Sequence, residues 1–244
     1  MTRLIAGVAV LLVSAAPALA QTADEIVEKH LAALGGREAL ERIQTRVSTG
    51  KVTVTTPVGE LGGTVEAFAK APDKSRTLIK VDVSALGAGI ITNDQRFDGT
   101  TGYVIDTLNG DRDITGSQLD ALRNNGFPTA WLDYKTRGHV VALAGKEMVG
   151  DRPAFVLEVT PKTGPKTRSW VDAETYLVLK TSVTVDAPAI GALEQIMEFG
   201  DYRTVDGVKV PFVVKSVNPA QTVTGMLTEV KHNVEIDEAS FKKP

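Results

Sequence analysis

The strongest constraint on this chain is a stretch from Lys146 to Lys215 in which apolar and polar residues alternate with period two. Phe155, Leu157 and Val159 alternate with Val156 and Glu158. Leu177, Leu179, Thr181 and Val183 alternate with Val178, Lys180 and Ser182, and Val208, Val210, Phe212 and Val214 alternate with Lys209, Pro211 and Lys215. Such alternation puts one set of side chains on each face of a sheet, so these runs are predicted as antiparallel strands. The joints between runs are Gly150-Asp151, Asp172-Ala173-Glu174-Thr175 and Asp206-Gly207, and Asp-Gly supplies the positive φ of a tight hairpin. Pro211 cannot donate to a ladder, which predicts an edge strand or a bulge at that point.

The N-terminus addresses the compartment. Met1-Thr2-Arg3 is a short basic start, Leu4 to Val13 is apolar throughout, and Ala18-Leu19-Ala20 is an A-x-A cleavage site followed by Gln21. The apolar run is too short to span a bilayer, so a secretory signal peptide cleaved after Ala20 is expected. With no cysteine in the chain, lipid attachment at the new N-terminus is not expected, nor are disulfides or thiolate metal sites. The expected product is exported and periplasmic. Its net charge of −3 becomes −4 when Arg3 leaves, with no basic run, so nucleic acid is not an expected partner.

Thr22-Ala23-Asp24-Glu25 forms a capping box ahead of Ile26, Val27, His30, Leu31 and Leu34 at helical spacing, with Gly35-Gly36 as the stop. A second short helix runs from Arg37 to Ile43. Extended runs follow at Arg46 to Thr56, Glu60 to Lys70 and Thr77 to Val83, the first two joined at Pro57-Val58-Gly59. Gly62-Gly63 inside the second run predicts a bulge or a sharp coil. Ser84 to Ile91 is apolar, carries two glycines and no charge, and is expected to form a mobile flap through Leu86, Ile90 and Ile91. A hairpin is expected around Asp98 to Gly102, a short helix from Ser117 to Asn124, and a last strand over Thr222 to Val230. Residues 21–244 are expected to form one domain.

Chemistry is sparse. His30, His139 and His232 lack metal-site spacing. Asp106, Asp111 and Asp113 around Asn109-Gly110 lack the order of a calcium loop and its terminal Glu, which favours a solvated turn. Gly87-Ala88-Gly89 is no dinucleotide fingerprint, no GxSxG or SxxK occurs, and Glu158, Glu194 and Glu198 fall on polar sides of strands. No cofactor is expected, and nothing in the pattern calls for an enzyme.

The segments TADEIVEKHLAALGGREALERI, KAPDKSRTLIKV, RFDGTTGYV, WVDAETYLVLK, FGDYRTVDGVKVPFVV and NVEIDEASF, in that order, resemble the outer-membrane lipoprotein-sorting family. This is the LolA/LolB-like group, which includes RseB-type sensors. The resemblance implies a mainly β (α+β) fold: a single curved antiparallel sheet forming an unclosed half-barrel, with N-terminal and inserted helices covering its concave face. It implies a carrier of lipoprotein or lipid acyl chains, with an inner-membrane donor and an outer-membrane acceptor as partners. The alternative within the group is a sensor module that binds a membrane regulator. Phe155, Leu157, Val159, Leu177, Leu179, Val183, Val208, Val210, Phe212 and Val214 are the candidate ligand-binding set, expected to share the concave face. Two short helices would leave part of so wide a face uncovered, and the space left would be apolar and dry.

Overall fold

The computed structural model describes residues 21–244 except 58, 85–86, 188–190 and 220. The expected signal peptide, Leu86 of the flap and Val58 of the first hairpin lie outside the described residues.

Helix α1 (Ala23–Leu34) starts where the capping box places it: the Glu25 amide donates to Thr22 Oγ1 at 3.2 Å, and the Thr22 amide donates to Glu25 Oε2 at 2.9 Å. Helix α2 (Arg37–Glu41) follows after the two glycines. Then come β1 (Thr45–Thr56), β2 (Gly59–Lys70), β3 (Lys74–Asp82), β4 (Ile90–Phe97), β5 (Gly102–Asp106) and β6 (Arg112–Ile114). Helix α3 (Gly116–Asn124) and a turn-rich segment lead to β7 (Val140–Val149), β8 (Arg152–Thr160), β9 (Thr167–Asp172) and β10 (Val178–Ala187). The chain ends with β11 (Gly191–Val205), β12 (Val208–Val217), β13 (Thr222–His232) and a 3₁₀ turn, Glu238–Phe241.

All 13 strands belong to one antiparallel sheet in the order β6-β5-β4-β3-β2-β1-β13-β12-β11-β10-β9-β8-β7. Two meanders therefore meet at β1 and β13, and β6 and β7 are unpaired with each other, so the sheet does not close into a barrel. It is nonetheless strongly curled. Asn124 of α3, just beyond edge strand β6, donates to the Thr163 carbonyl between β8 and β9 at 2.9 Å. Two close strand approaches lie at the middle of the sheet. A Cβ on Gly63 would lie 2.1 Å from the Lys80 carbonyl oxygen, and one on Gly50 would lie 2.3 Å from that of Met226. Only glycine permits the strands to approach so closely. The β1–β2 register is continuous through Gly62-Gly63, so that ladder has no bulge there.

Pro211 is not at an edge, because β12 lies between β11 and β13. The β12–β13 ladder covers Val213 to Val217 and ends before the proline, so its missing N–H interrupts no pairing on that side.

The largest core cluster joins the apolar stripe of α1 to the face of the C-terminal meander. Ile26, Val27, Leu31 and Leu34 pack with Phe155, Leu157, Val171, Leu177, Val208 and Phe212. The segment after α3 is drawn into the same cluster by Tyr134, Trp131 and Phe127, and it is tied to α1 by Tyr134 Oη donating to Asp24 at 2.5 Å. A second cluster, Phe97, Val104 and Ile114 with Leu122, seats α3 on the other meander.

His30 lies within the α1 stripe at 4% exposure, its Nδ1 2.7 Å from the Tyr176 carbonyl. Burial pushes its pKa down to about 4. The folded state thus prefers the neutral ring, whereas the unfolded chain takes up a proton near 6.5. Stability from this group is full above 6.5 and is lost as pH falls towards 4. The loss is about 3 kcal/mol. Urea midpoints at pH 7 and pH 4.5 should differ clearly more for the wild type than for His30→Gln; equal differences would refute this role.

Candidate functional site: an apolar trough at the centre of the sheet

A cavity of about 390 Å³ lies where the two meanders meet. Its wall is the inward face of β1–β3 and β11–β13: Val52 on β1, Val65 and Ala67 on β2, Ile79 on β3, Met197 on β11, Val214 on β12, and Val223, Gly225 and Leu227 on β13. The registers place these residues on one face. Val52 is opposite Gly225, Val214 is also opposite Gly225, and Val65 is opposite Ile79. The hollow exists because inward positions on the central strands carry small side chains. Ala67, Ala69 and Gly225 stand where a core strand would carry Leu or Phe. At Gly225 an added Cβ would meet only the Val214 carbonyl oxygen, at an ordinary 3.7 Å.

The candidate residues divide three ways. Phe155, Leu157, Leu177, Val208, Val210 and Phe212 do come together, but as packed core with α1, each at most 8% exposed. Val210 and Val214 also line the trough. Val159 and Val183 face each other across Thr167 of β9 and are half-buried. Leu179 is a correction: it packs with Ala154, Val156 and Trp170 on the opposite face of the sheet. The β9–β10 register shifts between Val178 and Lys180, so Leu179 and Lys180 point the same way, and Lys180 Nζ sits 4.2 Å above the Trp170 ring. A bulge inverts alternation from that point, which period-two counting cannot anticipate.

The described part of the expected flap lies at one end of the trough. Val83 and Ile91 pack with Val52, Val65, Ile79 and Val223, four residues that the trough shares, whereas Ile90 is 61% exposed. The Val83 amide donates to the Gly89 carbonyl at 2.8 Å.

The other end of the trough holds its one strongly polar wall residue among those described. Arg46 of β1 is opposite Ala69 and His232 in the registers. Its Nε donates to His232 Nε2 at 3.0 Å, and its guanidinium carbon lies 5.2 Å from the Phe127 ring centre. His232 Nδ1, 3.1 Å from Asp206 Oδ2, must then be the protonated nitrogen. Burial, and next the Arg46 charge, push the His232 pKa down and keep the ring neutral. Burial alone lowers the Arg46 pKa to about 10. Arg46 is not among the candidates that the sequence pattern singles out. The available signal was a charge at an inward position of a central strand.

The acidic loop is a turn, as read: Asp106 accepts from the Leu108 and Asn109 amides at 2.9 and 3.1 Å, and Asp113 pairs with Lys243. Among the described residues, no group of His, Asp and Glu converges as a metal site, and no helix is long and apolar enough to cross a membrane.

Three solved structures share this architecture across nearly the whole chain. A DUF1329 family protein from Desulfovibrio piger superposes with TM-score 0.59 at 15% identity, covering 90% of this chain and 97% of that one. A LolA superfamily protein from Nitrosomonas europaea gives 0.55 at 15%, covering 92% and 99%. This chain shares its fold with that LolA superfamily protein. A domain from Vibrio parahaemolyticus described as an outer membrane lipoprotein-sorting protein gives 0.56 at 13%, covering 90% and 95%. A family model described only as an uncharacterized protein matches residues 133–244, which begin just before β7 and include the C-terminal meander. No curated protein matches the sequence. The LolA-type sheet is thus the one that the sequence resemblance implied, and its trough lies beside the packed α1 core.

Proposed function

We propose that this protein is an exported periplasmic carrier that holds a lipid acyl chain in the central trough and passes it towards the outer membrane. The supporting observation is the cavity itself: about 390 Å³ bounded by aliphatic side chains on a curled sheet. The fold is consistent with this, since a structural neighbour is described as a lipoprotein-sorting protein. In this reading residues 1–20 are removed as a signal peptide after Ala20. Binding is the whole activity. Each buried methylene contributes about 0.8 kcal/mol, so about eight of them give a reversible affinity of tens of micromolar. A carrier that must release its cargo works in that range.

An organic extract of the exported protein should contain acyl lipid, and the delipidated protein should bind a fluorescent fatty acid. Gly225→Leu fills the trough without a backbone clash and should weaken binding about tenfold or more while the protein stays folded. Ligand should also slow amide hydrogen exchange at residues 87–91. A delipidated wild type that binds no acyl ligand, or a Gly225→Leu protein that binds as well as wild type, would overturn the proposal.

A further inference from the structure

We infer that the trough selects a single-chain lipid with a carboxylate head, such as a free fatty acid, and that Arg46 is the residue that binds the head. The inference rests on the acyl-carrier reading and names its ligand class.

Three observations converge. The first is the unused valence of Arg46. Its Nε is committed to His232, and among the described residues no carboxylate lies within ion-pairing distance of it. No buried side-chain nitrogen lacks a partner, so Nη1 and Nη2, for which no bond is found, must keep accessible surface. Arg46 is a lining residue of the trough, and in this inference that accessible surface faces the trough. A guanidinium engaged through Nε presents its other two nitrogens as a planar fork, the geometry that takes a carboxylate through two parallel hydrogen bonds.

The second observation is that the fork is held in place. Phe127 covers one face, and the Arg46–His232–Asp206 chain fixes the other nitrogen. Because His232 is neutral, the chain orients Arg46 without neutralising it. A desolvated cation without a counter-ion is destabilising in an apolar wall, and an anionic ligand relieves that. Asp206 is linked to Arg46 through the imidazole.

The third is size and polarity along the trough. Arg46 and Val52 stand six positions apart on β1. At about 3.3 Å per residue that is about 20 Å. One leaflet of a bilayer's hydrocarbon core, the reach of one acyl chain, is about 15 Å. The volume of about 390 Å³ is near the lower end of small-molecule sites. It suits one chain better than several. The tail then points to the Val52 end, under residues 87–91, and the head meets Arg46.

The test is a ligand series on the delipidated, full-length mature protein: palmitate, hexadecanol and methyl palmitate, measured by displacement of a fluorescent fatty acid below their aggregation limits. Wild type should bind palmitate about tenfold to a hundredfold more tightly than the two uncharged ligands, the usual range for a charge-assisted hydrogen bond. Arg46→Met should abolish that preference, and Arg46→Lys, which keeps the charge without the fork, should retain part of it. Equal binding of all three ligands by wild type overturns the head-group assignment and leaves the carrier reading standing. A preference that persists in folded Arg46→Met overturns the role of Arg46. Failure of all three ligands to bind overturns both this inference and the carrier reading. If Arg46→Met does not fold, the wild-type series together with Arg46→Lys still decides.

Discussion

Gly63→Val is expected to lower the melting temperature by about 10 °C, while Gly62→Val, one residue away, changes it by no more than a few degrees. The contrast follows from direction. Gly63 faces inward opposite Val81, and a Cβ there would sit 2.1 Å from the Lys80 carbonyl oxygen and 3.0 Å from the Val81 Cα, all backbone atoms that cannot rotate away. A Cβ on Gly62 meets nothing within 4 Å. Strands β2 and β3 would have to separate at the centre of the sheet, a loss of about 4 kcal/mol, and in a protein of this size each kcal/mol shifts the melting point by about 2–4 °C. At Gly62 valine instead has room and a higher strand propensity than glycine. Gly63 lies opposite Val52 of the trough wall, so Gly63→Val should also weaken acyl binding. Circular dichroism melts of the two variants settle the matter; coincident melts would mean that the close approach at Gly63 does not limit stability.

Much of the fold was visible in the sequence because it is a succession of local decisions. The Thr22–Glu25 capping box, the Gly35-Gly36 stop and the Asp206-Gly207 hairpin each depend on neighbouring residues, and each is found where the sequence puts it. The features that escaped are non-local. Strand β6 has three residues, too few for a period, and Val140 to Gly145 of β7 alternates Val, Leu and Ala weakly. The Leu179 bulge is set by the partner strand, not by β10 itself. The position of the hollow was the largest miss. Counting apolar alternation finds the most apolar face, and that face is the one α1 covers. The trough lies instead where the inward residues are small, at Ala67, Ala69 and Gly225, and alternation counts treat these as weak strands. Arg46 escaped for a related reason, since a charge on a strand is ordinarily assigned to the solvent side.

The division between packed core and hollow gives the other large expected effect. Leu157 is 1% exposed under α1, whereas Val214 is half-buried on the trough wall. Leu157→Asp removes a core side chain, a loss of about 2–5 kcal/mol, and adds an ionisable group to the buried cluster of Ile26, Leu31 and Phe155. The sum reaches or exceeds the whole stability of a typical domain, about 5–15 kcal/mol, so this variant should fail to fold or accumulate only as insoluble protein. Val214→Asp places its carboxylate at a cavity that water can enter, between Phe199 and Gly225 in the register. It should fold with a loss of about 1–2 kcal/mol. Its negative charge on the wall should still weaken binding of a fluorescent fatty acid more than tenfold, because the carboxylate must be desolvated when the chain enters. Urea unfolding and ligand titration of both variants separate the two faces. A Leu157→Asp protein that folds and has lost acyl binding, beside a Val214→Asp protein that binds like wild type, would move the hollow from the central strands to the α1 side.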